Sequence, residues 1–155
     1  MKKAFKLMDT VFFFCLLVVA LGLCAMIFFF QIKPVVIVSG SMEPGIPVGS
    51  LAFIDQKDKA AEPGEIIAYQ ISETTIVHRV VDQNDDGTYI TKGDSNDTAD
   101  PAPVLNQQVV GKEIFCIPKA GYIVRFFHSK KGILIISIVA AVYLLSRVVW
   151  IRKGV

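Results

Sequence analysis

Hydrophobic positions along the chain form two unbroken blocks around a punctuated middle. Residues 11–30 (VFFFCLLVVALGLCAMIFFF) carry no charge, and only Gly22 stands outside the apolar set. As a helix at about 1.5 Å per residue, this run spans roughly 30 Å, the thickness of a bilayer's hydrocarbon core. A cleavable signal peptide has a shorter apolar region, about 7–15 residues, that ends at small residues. Here the run closes on Phe28-Phe29-Phe30-Gln31, which predicts a retained membrane anchor. A second run, residues 133–151 (ILIISIVAAVYLLSRVVWI), holds one charge, Arg147. That residue is near enough to the end for its side chain to reach the headgroups. The run predicts a second transmembrane helix; the competing reading is an apolar helix packed on the domain.

The middle segment has a different grammar. All seven prolines and eight of the eleven glycines fall within residues 31–131. Between these breaks, runs at 35–38, 51–55, 65–71, 75–81, 88–92 and 109–117 are rich in Val, Ile, Thr, Phe and Tyr. Such runs, bounded by turn residues, predict strands. Ile66-Ile67-Ala68-Tyr69 is apolar without alternation, as in a strand buried on both faces. Residues 82–87 (DQNDDG) predict a polar hairpin loop, and residues 94–103 (DSNDTADPAP) a longer acidic one. Residues 120–127 predict a short interfacial turn leading into the second span. The expected architecture is a mainly β domain tethered by an N-terminal and a C-terminal transmembrane helix.

Composition narrows the class. The chain of 155 residues is 53% hydrophobic and 19% charged, with a mean hydropathy of +0.53. Disorder requires the opposite balance, and a net charge of +2 is too small to suggest nucleic-acid binding. The charge is also sorted. Lys2, Lys3 and Lys6 against Asp9 leave +2 before the first span, and Arg147, Arg152 and Lys153 give +3 at the far end. Residues 31–131 hold ten Lys/Arg against thirteen Asp/Glu, a balance of −3. The positive-inside bias therefore puts both termini in the cytoplasm and the middle segment outside. Arg125, Lys130 and Lys131, on the outer flank of the second span, run against that bias. Expected divisions are a cytoplasmic N-terminus at 1–10, a span at 11–30, the domain at 31–131, a span at 132–151 and a cytoplasmic tail at 152–155. Cys15 and Cys24 lie in the first span and Cys116 alone in the middle, so no disulfide framework is expected.

Three groups of residues could carry chemistry. In Ser39-Gly40-Ser41-Met42-Glu43-Pro44, glycine permits a sharp turn that presents a hydroxyl and aims a backbone N–H at the same point. His78 lies in an apolar strand, and alternation sets it on the face opposite Val77 and Val81. Asp94, Asp97 and Asp100 recur at three-residue spacing in the acidic loop. That loop lacks the glycine and closing glutamate of an EF-hand, so no metal and no cofactor are expected. Ser41, His78 and one aspartate could form a nucleophile, base and orienter. From the residues alone, a non-catalytic tethered β-module with ordinary serines and an ordinary histidine stays open beside the hydrolase.

Four motifs in order then resemble a known family. Ser39-Gly40-Ser41-Met42-Glu43-Pro44, Gly64-Glu65-Ile66-Ile67-Ala68-Tyr69, His78-Arg79-Val80 and Lys92-Gly93-Asp94-Ser95-Asn96 resemble the boxes of type I signal peptidases. A histidine where bacterial-type members carry lysine is similar to the endoplasmic-reticulum and archaeal type, also found in some Gram-positive bacteria. The resemblance implies Ser41 as nucleophile, His78 as general base, and Asp94 and Asp100 as acidic positions, without deciding which orients the imidazole. It implies the Ser41 backbone N–H as one oxyanion donor and, less directly, the Ser39 hydroxyl as another. It also implies removal of signal peptides from exported preproteins after small residues, in the cell membrane or the endoplasmic-reticulum membrane. The implied partners are the preproteins, the lipid bilayer and the secretion translocon. A peptidase dedicated to a few exported substrates is the alternative within the same chemistry.

Overall fold

The computed structural model describes residues 2–152, so residues 153–155 of the expected tail lie outside the described residues. Helix α1 (Lys2–Phe28) leads into strands β1 (Ile32–Val36), β2 (Leu51–Asp55), β3 (Ile66–Ile71), β4 (Thr74–Gln83) and β5 (Tyr89–Lys92). A 3-10 turn at Asn106–Gln108 precedes β6 (Val109–Ile117), and helices α2 (Ala120–His128) and α3 (Lys130–Arg152) complete the chain. The strands form one six-stranded sheet in the order β1-β2-β6-β3-β4-β5, antiparallel at every pairing. The mainly β domain with an apolar helix at each end is the architecture that the sequence predicts.

Strand identity follows composition closely, and the one clear shift has a local cause. The expected strand at 35–38 starts earlier, at Ile32, and includes Pro34. Proline cannot donate to a ladder, but β1 is an edge strand and pairs only with β2, where the missing N–H costs little. The continuous apolar run in β3 is buried on both faces, as expected. Ile67 and Tyr69 pack with Ala61, Val80, Tyr89, Val104 and Val109, while Ala68 faces Ile37, Met42, Ile46, Ala52, Ile54 and Val77. Cys15, Cys24 and Cys116 are free thiols, so these two clusters hold the domain without a crosslink.

The stretches Leu7–Phe28 and Lys130–Val149 are long and apolar enough to cross a membrane. Almost nothing in either is buried inside the protein, unlike a core helix of a globular domain. The helices meet near their far ends, where Arg147 forms a 2.7 Å ion pair with Asp9. Tyr143 also donates to Asp9 at 3.4 Å. The start of α1 thus lies beside the end of α3, and the two run antiparallel.

The seam between β2, β6 and β3 tolerates no side chain at Gly111, because a Cβ there would collide with the Asp55 carbonyl oxygen. Overpacking of this kind costs about 1–3 kcal/mol. Gly111→Ala should therefore lower the Tm of the detergent-solubilised chain by several degrees. An unchanged Tm would show that the seam relaxes freely.

Candidate active site

The loop between β1 and β2 is fixed from below. Met42 and Ile46 are buried in the first apolar cluster on either side of a cis Glu43–Pro44 bond, and Ile46 N–H donates to the Met42 carbonyl at 2.7 Å. From the side, Ser95 N–H donates to the Ser41 carbonyl at 2.9 Å, and Ser95 Oγ to the Gly40 carbonyl at 2.8 Å. Gly93 makes that approach possible, since a Cβ there would sit 2.6 Å from the Ser41 carbonyl oxygen and 2.9 Å from its Cβ. With its backbone clasped on two sides, Ser41 is half-buried and its hydroxyl points at β4.

The imidazole of His78 receives that hydroxyl. His78 Nε2 lies 3.1 Å from Ser41 Oγ, and His78 Nδ1 lies 2.7 Å from Asp100 Oδ2. His78 is 8% exposed, and its ring stands on the same side of the sheet as Tyr69, opposite Val77, as the alternation predicts. Lys92, the one lysine in the four motifs, is not hydrogen-bonded to Ser41 Oγ, whose hydrogen-bond partners among the described residues are His78 and Ser39. Ser39 Oγ lies 3.3 Å from Ser41 Oγ.

The two aspartates part company. Asp100 accepts from His78, and its own N–H is pinned to the Thr91 carbonyl at 2.8 Å. Asp94 does not reach the imidazole: its carboxylate takes both arms of Arg79, at 2.8 and 2.7 Å. Arg79 also donates to the Gly64 carbonyl, and the Asp94 carboxylate raises the pKa of the guanidinium further. A fork-to-fork pair of this kind is rigid. It braces the acidic loop against β4 while Asp100 points inward.

Two further residues in the site are given no role by the motifs: Tyr69, which closes the second of them, and Thr91, which lies outside all four. Tyr69 Oη donates to Asp100 Oδ2 at 2.9 Å and Thr91 Oγ1 to the same oxygen at 2.6 Å. Both side chains are fully buried, and sequence alone reads them as strand residues with β-propensity. Burial by itself would push the Asp100 carboxyl up, but the hydrogen bonds from Thr91, His78 and Tyr69 outweigh it and hold the carboxyl below its usual range. Burial, with Asp100 alongside, pushes the Tyr69 phenol up to about 12, so it stays a donor.

Beside Ser41 runs a groove of about 260 Å³, walled by residues 35–39 on one side and 74–78 on the other, with Met42 also in its lining. Two extended segments facing each other leave room for a third extended chain between them. The geometry therefore offers a hydroxyl within reach of an oriented base, next to a slot for a peptide.

Comparison with known proteins agrees with this chemistry. A family described as Peptidase S24-like matches residues 32–113. The signal peptidase complex catalytic subunit SEC11 of Scheffersomyces stipitis is 34% identical over 123 residues, covering 66% of this chain and 74% of that protein. The same-named subunit of Clavispora lusitaniae is 35% identical over 102 residues, 57% of this chain and 61% of the relative. Signal peptidase I W of Bacillus subtilis is 38% identical over 79 residues, 47% of this chain and 42% of that protein. The match thus covers less than two thirds of the second relative and less than half of the third.

The donors to Asp100 predict a pH signature. A carboxyl whose folded pKa lies below its unfolded value of about 3.9 contributes stability above that value. The contribution disappears as pH falls through the folded pKa. Thr91→Val with Tyr69→Phe removes two of the three side-chain donors, so the folded pKa should rise and stability at neutral pH should fall. The gap in Tm between wild type and double variant should narrow as pH drops from about 7 to about 3. A gap that stays constant with pH would show that the loss is one of packing only.

Proposed function

The chain belongs to the Peptidase S24-like family, and from that membership we propose a membrane-bound serine endopeptidase that removes N-terminal signal peptides from exported preproteins. The observation that carries the proposal is the line Ser41 Oγ, His78 Nε2, His78 Nδ1, Asp100 Oδ2, with links of 3.1 and 2.7 Å. In this reading Ser41 Oγ attacks the scissile carbonyl while His78 Nε2 takes its proton. Asp100 holds Nδ1–H, fixes the tautomer and offsets the charge on the imidazolium. The oxygen of the tetrahedral intermediate is met by the Ser41 N–H and by Ser39 Oγ. Collapse returns the proton from His78 to the leaving amine, and a water activated by the same base then releases the acyl group. Asp94 is a brace for Arg79 in this scheme, not the orienter.

The groove supports the substrate class. An extended peptide lying between residues 35–39 and 74–78 would present its backbone to both walls. Cleavage after small residues is what the family resemblance implies. Only ten residues separate Phe30 from Ser41, so at about 3.3–3.6 Å each the nucleophile stays within roughly 35–40 Å of the end of the apolar run. A signal peptide leaving lipid passes through that zone, delivered by the secretion translocon. The membrane is the cell membrane or that of the endoplasmic reticulum, crossed by α1 and α3, with the domain on the side away from the cytoplasm. The SEC11 relatives are catalytic subunits of a complex by name, so partner subunits of this chain belong to the same proposal.

Catalysis is tested with the detergent-solubilised full chain and a preprotein. Ser41→Ala and His78→Ala should each abolish cleavage, because members of one catalytic unit fail together. Asp100→Asn should lower kcat by about ten-thousand-fold through the wrong tautomer. Asp94→Asn should cost stability instead, about 1.5–3 kcal/mol, with turnover of the folded fraction close to wild type. A larger loss of kcat in Asp94→Asn than in Asp100→Asn would reverse the assignment of the two carboxylates.

Topology is tested by labelling. Asp85 is exposed on the β4–β5 loop. In a variant without the native cysteines, Asp85→Cys should react with an impermeant thiol reagent added to intact cells, or to the lumenal side of opened microsomes. Reaction from the cytoplasmic side alone would put the domain on the other face.

A further inference from the structure

Helix α2 is built with two unlike faces. Gly121 is buried against the domain: its N–H donates to the Gly49 carbonyl at 2.9 Å, and a Cβ would sit 2.7 and 2.8 Å from the carbonyl oxygens of Gly49 and Ser50. The Tyr122 ring lies directly over Gly49, where any side chain would strike it. On the side turned away from Gly121 stand Ile123, Phe126 and Phe127, which are 61%, 43% and 52% exposed. Arg125 and His128 occupy the last turn. An extended residue, Ser129, then breaks the helix, and its hydroxyl accepts from the Gly132 N–H at 3.0 Å to start α3. The chain therefore changes direction where it enters the apolar stretch Lys130–Val149.

Charge supplies a second, independent observation. Arg125, Lys130 and Lys131 are exposed, and among the described residues none joins an ion pair. They crowd the end of a segment whose balance is otherwise acidic, on the flank where the positive-inside bias disfavours cations. Three basic residues beside an apolar face, at the root of a membrane-spanning helix, match an interface of acyl chains below and phosphates above.

We propose that α2 is a foot on the outer leaflet: Ile123, Phe126 and Phe127 enter the acyl-chain boundary, and Arg125, Lys130 and Lys131 bind phosphates of anionic phospholipids. The foot is coupled to the nucleophile. Gly49 and Ser50, on which Gly121 and Tyr122 rest, close the β1–β2 loop that carries Ser41, and the Gly49 N–H is bonded to the Ile37 carbonyl at 2.9 Å. Seating α2 on lipid thus sets the height and tilt of the Ser41 loop above the bilayer. The inference rests on α3 spanning the membrane, as proposed above.

The full chain contains one tryptophan, Trp150, so Trp150→Phe with Phe127→Trp leaves a single indole on α2. This protein is reconstituted into phosphatidylcholine vesicles, with or without phosphatidylglycerol, whose acyl chains are brominated near the headgroup end. Strong quenching of the indole, greater with phosphatidylglycerol, is expected. Adding Arg125→Glu, Lys130→Glu and Lys131→Glu should remove the dependence on phosphatidylglycerol. In the native background, the same three reversals should reduce preprotein cleavage in phosphatidylglycerol vesicles at least about fivefold. Cleavage of a short soluble peptide in detergent should stay at the wild-type level. An indole unquenched in either vesicle, or quenching that ignores both phosphatidylglycerol and the reversals, overturns the proposal. Quenching as expected, from a chain that cleaves no preprotein, overturns the peptidase reading and leaves the foot standing.

Discussion

One carboxylate oxygen, Asp100 Oδ2, is the point on which the site converges. It accepts hydrogen bonds from Tyr69 on β3, His78 on β4 and Thr91 on β5. A partly buried charge of this kind is tolerable only when its lone pairs are filled. All three donors come from neighbouring strands, so the requirement passes directly into strand register: Tyr69 opposite Ile76, His78 opposite Ile67, and Thr91 opposite Val80. A slip of one residue in any of these strands would turn its donor to the other face of the sheet. The apolar packing of Ile67, Val80 and Val109 and the polar packing of Asp100 select the same register, and each reinforces the other.

The proposed nucleophile is held by different means. Ser41 sits in a loop, where no ladder fixes the backbone, and the loop is instead wedged by Met42 and Ile46 into the core and clasped by Ser95. The clasp originates in the same acidic loop that carries Asp94 and Asp100. Arg79, next to His78 in sequence and gripping Asp94, ties that loop to the strand bearing the imidazole. His78, Asp100 and Ser41 are thus referred to one short segment, residues 93–100. Geometry at the reacting atoms is maintained without a disulfide or a rigid helix beneath the site.

How much of this is legible in the sequence depends on the length scale of the signal. Apolar runs and β-rich runs are local, so the two long helices and the strands at 51–55 and 109–117 could be read directly. Ser41 and His78 were ordinary loop and strand residues until the order of four motifs gave them roles. Asp94 and Asp100 could not be separated, because both are acidic residues six apart in one loop. Their difference lies in which partner is near, Arg79 or the pair Tyr69 and Thr91. Those partners are set by cross-strand register, a property of three strands together. Tyr69, although it closes a motif, and Thr91 take no role from the sequence for the same reason: inside a β-strand, tyrosine and threonine are what propensity already expects.

The order of the sheet, β1-β2-β6-β3-β4-β5, divides the site along a seam. The loop of Ser41 joins β1 to β2, and α1 and α2 attach to that same half through Lys57 on the Phe29 carbonyl and Gly121 on the Gly49 carbonyl. His78, Thr91 and Asp100 belong to the other half. The two are stitched by β6, which pairs with β2 on one side and β3 on the other and is the last strand in the chain. Ser41 is therefore mounted on the half that the apolar helices hold, and His78 on a half joined to it by β6, by the Ser95 clasp and by the packing of Ala68 and Val77 against Ile37 and Met42. The strand leading into the second apolar helix thus lies between the half that carries Ser41 and the half that carries His78. Gly111 sits on that strand because its neighbour Asp55 leaves no space for anything larger.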